Sequence, residues 1–178
     1  MKIGEEDALV AELELLGIRY LSRQTTYQTT RVRPPARLLI DLAQQQNARV
    51  REALIAVFLA CPRYAYDVSA SVAELDVIDP FAAANLRLLY TAATFLQHKH
   101  RERLEPFLGV TWLWLPDLFS ADLGLPLSQM PADDKLALLG QAHRKATGVL
   151  ANWSGTYDNV ARKLIRRWEM ERVWSQSQ

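Results

Sequence analysis

Sulfur and imidazole are scarce in this chain. It holds one cysteine, Cys61, and three histidines, His98, His100 and His143. A single thiol cannot build a disulfide framework within the chain or a multi-thiolate zinc site. His98 and His100 stand two apart, a spacing that turns them in different directions on a helix. No His-Glu-x-x-His pattern occurs, so neither a metal ion nor a cofactor is expected. Glycine is sparse as well. Its seven copies are scattered and form neither a phosphate-binding loop nor a Gly-x-Ser-x-Gly elbow. Long apolar runs are missing: the most apolar stretch, Phe81 to Gln97, is interrupted by Asn85 and Arg87 and falls short of a bilayer crossing. Met1 to Asp7 bring acids where an export signal would carry a basic and then an apolar stretch. The expectation is a cytoplasmic protein with no membrane partner.

What remains is an ordinary folding composition, 49% hydrophobic and 23% charged, which excludes a disordered chain. Ala and Leu are abundant, and they are the strongest helix formers. The near-zero net charge of +1 hides an uneven distribution. Residues 1–16 sum to −4, residues 17–51 to +6, residues 52–143 to −5 and residues 144–178 to +4. Two basic blocks thus flank an acidic middle.

Periodicity and turn chemistry divide the chain into helices. Residues 4–16 place Ala8, Leu9, Leu13 and Leu16 on one side and end at Gly17. Thr25 to Arg33, rich in threonine, suits an extended arm. Pro34 and Pro35 open a helix over about 35–45, and Asn47 is a candidate N-cap for a second over about 48–60. That helix is apolar on every side from Ala53 to Cys61, so Cys61 reads as a small buried core residue rather than a nucleophile. A short helix is expected over 68–76. Asp79-Pro80 starts the longest, Phe81 to Arg103, whose His98–Arg101 end emerges into solvent. Four prolines interleaved with Trp112, Trp114 and other apolar residues make 106–131 a connection that must wrap the core or meet a partner. Helices over about 132–151 and 156–175 follow, the last burying Tyr157, Val160, Ala161, Leu164, Ile165 and Trp168. The expected fold is all-α: an irregular bundle of about six or seven helices in one domain. Its parts are an N-terminal helix and basic arm (1–33), core helices (34–105), the apolar Pro-rich connection (106–131) and C-terminal helices (132–178).

The stretch from Pro34 to Pro62, PPARLLIDLAQQQNARVREALIAVFLACP, resembles a helical hairpin of the HEAT-repeat type. There a proline opens the first helix and a polar turn leads to a second beginning with a Val-Arg pair, as Val50-Arg51 does here. The resemblance implies an antiparallel helix pair with one packed face. No second copy follows at the spacing a solenoid requires.

Three functional classes follow, in order. The first is a non-enzymatic interaction protein: an adaptor, a regulatory subunit or a component of a larger complex. Tryptophan, tyrosine and arginine dominate interface hot spots, and Trp112, Trp114, Met170, Val173 and Trp174 are the candidate contacts for a protein partner or a second copy. The second is a helical nucleic-acid-associated protein. It would use Arg19, Arg23, Arg31, Arg33 and Arg37, interleaved with Tyr20 and Tyr27, and the basic last helix with Arg162, Lys163, Arg166 and Arg167. Guanidinium groups grip phosphates and tyrosines stack on bases. The third is an enzyme with an unfamiliar site, for which no residues stand out.

Overall fold

The computed structural model describes residues 3–22, 28–126 and 129–177. Among them lie eight α-helices, two short 3-10 turns and no strand, so the chain is all-α. Among the described residues no single helix is long and apolar enough to cross a membrane.

Helix α1 (Ile3–Leu15) stops where Gly17 takes a left-handed conformation, φ 83°, and the Ile18 amide returns to the Leu13 carbonyl. That glycine-terminated closure satisfies carbonyls the helix would otherwise leave open. Helix α2 (Pro35–Ala43) carries its proline in the first turn, where the missing N–H costs nothing. Helix α3 (Ala48–Ala60) is capped by Asn47, whose side chain accepts from the Arg49 amide at 3.1 Å. Every residue from Ala53 to Leu59 is buried. Cys61 terminates α3 and is only half-buried, a correction to the fully buried placement expected for it.

A 3-10 turn over Pro62–Asp67 leads into α4 (Val68–Ile78). Asp79 then caps α5 (Pro80–Lys99) by accepting from the Ala82 amide at 3.0 Å, with Pro80 in the first turn. Helix α5 is the central element, buried on nearly all sides and packed by α3, α4, α7 and α8. It does not run on to Arg103. The chain breaks at His100 and restarts as α6 (Arg101–Leu108), which contains Pro106. The apolar connection is correspondingly shorter than expected. It begins after a 3-10 turn at Gly109–Thr111 and leads to α7 (Ala132–Thr147). The longest helix is α8 (Trp153–Gln176), capped by Asn152.

Helices α5 and α7 run antiparallel. Lys99 meets Asp133 at one end, 2.5 Å, and Asn85 meets His143 at the other, 3.2 Å. One continuous apolar core draws residues from α1 through α8 and from Leu115 and Phe119 of the connection.

Candidate interaction surface

Helix α8 is the element on which the candidate residues concentrate. Its inner stripe, Tyr157, Val160, Ala161, Leu164 and Ile165, is buried as its spacing requires. One turn further on, Trp168 is half-buried: its ring packs on Phe107 at 5.4 Å and its indole N–H donates to the Gly17 carbonyl. Beyond this point Arg172 still lies over the Phe107 ring at 4.8 Å, but every residue from Arg172 to Ser177 is exposed. Met170, Val173 and Trp174 stand 39%, 59% and 52% exposed. With Arg166 they follow helical spacing on the outer face, and all four line one shallow depression together with Glu169. The Arg167 guanidinium lies over the Trp174 ring at 5.6 Å. On the opposite flank of the same helix end, Ala60, Phe107, Leu108, Thr111, Trp168 and Arg172 border an open groove of about 590 Å3.

Trp112 and Trp114 form a second cluster. The buried Gln97 amide clamps the connection, its Nε2 donating to the Leu113 carbonyl at 2.7 Å and its Oε1 accepting from the Leu115 amide at 2.9 Å. The Tyr90 hydroxyl adds a third tie, donating to the Pro116 carbonyl at 2.7 Å. Leu115 is thereby buried, while Trp114 stays exposed and stacks on His98 at 4.4 Å with Trp112 edge-on at 5.1 Å. The connection wraps the core and shows an aromatic outer face at the same time. Among the described residues no ring contact or ion pair joins this cluster to Met170, Val173 and Trp174.

The arginines sort differently from their sequence grouping. Arg33 is an internal tether rather than part of a free arm. It donates to the buried Glu12 carboxylate at 2.6 Å, bonds Asp41, and its backbone amide also reaches Glu12 at 2.9 Å. Hydrogen bonding to Glu12, outweighing the effect of burial, raises its pKa further above the ordinary arginine value. Arg37 pairs with Asp41 at 2.7 Å, Arg19 with Glu171 at 3.0 Å, Arg162 with Asp158 at 2.5 Å and Arg167 with Glu171 at 2.8 Å. Arg31, Lys163 and Arg166 enter no ion pair among the described residues. Arg23 and Tyr27 lie outside the described residues, as does the Thr25–Tyr27 part of the expected arm.

The histidines and the thiol are likewise engaged or muted. His143 is fully buried and stacks on Trp153 at 3.6 Å. The Asn85 amide nitrogen donates to the Phe81 carbonyl, so its oxygen faces His143 and receives Nε2–H. Nδ1 accordingly accepts from the Tyr157 hydroxyl at 2.7 Å. Burial, with nearby Arg51, pushes the imidazole down to about 4, so it is neutral at pH 7. Burial also pushes the Cys61 thiol up to about 11, which keeps it protonated and unreactive.

The break at His100 has a tertiary cause that the sequence does not display. Asp158 of α8 accepts from His100 Nε2 at 2.8 Å, from Lys99 at 3.1 Å and from Arg162. Burial disfavours the Asp158 charge, but bonds from His100, Arg162 and Lys99 overcome that and hold its carboxyl below the usual range. Lys99 and His100 are therefore fastened to α8 rather than solvated at a free helix end. Among the described residues no three His, Cys, Asp or Glu side chains converge on a point that could hold a metal ion.

Compared with family models, with curated proteins and with solved structures, the chain matches none of them.

Proposed function

We propose that this chain is a non-enzymatic interaction protein, an adaptor or component of a larger complex, that docks its partner on the outer face of the C-terminal half of α8. One observation carries the reading: a helix already anchored by a full inner stripe leaves Met170, Val173 and Trp174 uncovered on its outer face beside Arg166. Apolar side chains grouped and exposed on one face mark contacts. A tryptophan flanked by arginines is the composition of an interface hot spot. The face is also cationic, since Lys163 and Arg166 are unpaired among the described residues. The partner surface that complements it carries acids around an apolar centre.

The rival reading, nucleic-acid association, has less support. Arg19, Arg33, Arg37, Arg162 and Arg167 are engaged by carboxylates of the chain itself. Catalysis has less still, because the buried neutral His143 and the protonated Cys61 thiol offer neither an accessible base nor a nucleophile.

A photo-cross-linking residue in place of Met170, introduced in the native cell, tests the docking reading. One defined protein adduct is expected, lost when Arg166→Glu is added. The absence of any protein adduct at Met170 and Trp174 alike overturns it.

A further inference from the structure

We infer that the partner surface fitted to the end of α8 is carried by a second copy of this chain, at the corner between α4 and α5, so that copies associate head to tail. This rests on the docking reading above and names its partner.

The corner has the complementary chemistry. Val77, Ile78 and Phe81 are exposed there, by 83%, 57% and 49%. The inner face of α4 is filled by Val68, Val72 and Leu75, so these three are not needed by the core. Acids surround them: Glu74, Asp76 and Asp79 fall within the same turn and a half. Arg87 neutralises Asp76 at 2.5 Å. Glu74 stays exposed, and the Asp79 carboxylate caps α5 at the same corner. At the other end, Lys163 and Arg166, unpaired among the described residues, stand on the same side of α8 as Met170, Val173 and Trp174. Each patch has an apolar centre, and their charges are opposite. Such pairing favours encounter and fixes register.

Among the described residues no ion pair or ring contact joins the two patches within one molecule. The corner sits at the N-terminal end of α5. Helix α8 already meets the other end of α5 where Asp158 binds His100, and then continues to Trp168 beside Phe107. Two different patches define a heterologous contact. Repetition of that contact extends a chain or closes a ring.

Sedimentation of the intact protein at rising concentration tests this. The wild type is expected to gain mass with concentration, and to lose the gain in high salt because opposite charges carry the approach. Val77→Asp blocks the corner and Trp174→Ala blocks the helix end. Both sites are exposed, so unchanged melting temperatures confirm folding. Each variant alone should weaken association by about tenfold or more. Mixed in equal amounts, they should form dimers and nothing larger, because one intact corner meets one intact helix end. The pair Glu74→Arg with Arg166→Glu should restore what either change removes. A wild type that stays monomeric overturns the inference, while an adduct between the Met170 probe and a different protein would leave the docking reading standing. Association that the mixed variants fail to reproduce as dimers overturns the head-to-tail arrangement.

Discussion

The indole N–H of Trp168 donates to the carbonyl of Gly17 at 2.8 Å, joining the last helix to the end of the first across the whole chain. Gly17 is left-handed, and the position a Cβ would occupy lies 3.6 Å from Trp168 Nε1, so the ring and the turn fit each other closely. Trp168 is therefore a structural tryptophan, whereas Trp174, six residues on, is half exposed and lies under Arg167 of its own helix.

Stability should separate these two residues. Trp168→Ala removes a large ring from between Phe107 and the Gly17 turn. A loss of about 2–4 kcal/mol is expected, somewhat below the figure for a fully buried aromatic. Trp168→Phe keeps most of the packing and should lose only about 1 kcal/mol with the hydrogen bond. Trp174→Ala should stay within about 0.5 kcal/mol. Thermal melts of the three variants decide the matter. Equal losses from Trp168→Ala and Trp174→Ala would make Trp174 a core residue and remove the docking face.

Arg33 makes a sharper case of a residue whose sequence neighbourhood misleads. Truncating it to alanine leaves Glu12 and Asp41, each 6% exposed, with a charge deficit in a partly dry site. Breaking such a pair costs about 3 kcal/mol or more. Arg31→Ala, at an exposed position with no ion-pair partner among the described residues, should change stability by less than about 0.5 kcal/mol. Urea unfolding of both variants provides the comparison, and a small effect from Arg33→Ala would return it to the pool of cations free to bind phosphate.

The difference between Arg31 and Arg33 shows which features of this molecule are readable in the sequence. Asn47, Asp79 and Pro35 mark helix starts correctly because caps and first-turn prolines act on backbone within three residues of themselves. The inner stripe of α8 is readable for the same reason, since helical spacing is local. Arg33, Lys99 and His100 are not, because their partners Glu12, Asp133 and Asp158 come from elsewhere in the chain. The break between α5 and α6 follows from that: nothing near His100 in sequence announces that an α8 carboxylate will hold it. The corner of Val77, Ile78 and Phe81 escapes notice for a different reason. Apolar residues at a helix end look like core until the neighbouring helices are seen to leave them uncovered.

Acid should destabilise the fold through His143. Its pKa falls from an ordinary 6.5 in the unfolded chain to about 4 in the fold. Above pH 6.5 neither state holds the proton and the contribution is intact. As pH drops from 6.5 towards 4, the unfolded chain takes up a proton that the folded one refuses, and stability is lost progressively. Below about 4 both states are protonated and this loss levels off. The full loss is up to about 3 kcal/mol at 1.36 kcal/mol per pKa unit. Urea titrations across that range should show a slope that flattens in His143→Gln. An identical slope in that variant would assign the acid sensitivity to other groups.

The last expectation concerns Gln97, which holds the apolar connection onto α5 by two hydrogen bonds to backbone. Gln97 is 1% exposed, so its amide has no water to fall back on, and the same is true of the Leu115 amide it receives. Gln97→Ala leaves that amide and the Leu113 carbonyl unsatisfied in a dry site, at about 1–3 kcal/mol for each group that finds no other partner. The cost is relieved if the segment lifts off, and lifting would also carry Trp112 and Trp114 away from His98. Amide exchange at Leu115 should therefore accelerate well beyond the change in global stability, and protease cleavage should appear between Trp112 and Phe119. Gln97→Glu separates the two bonds. Its carboxylate still accepts from the Leu115 amide but repels the Leu113 carbonyl, so it should stand between wild type and Gln97→Ala in both measurements. If Leu115 exchanges no faster in Gln97→Ala than global unfolding requires, Phe119 and the Tyr90 tie to Pro116 are sufficient to hold the connection, and the clamp is redundant.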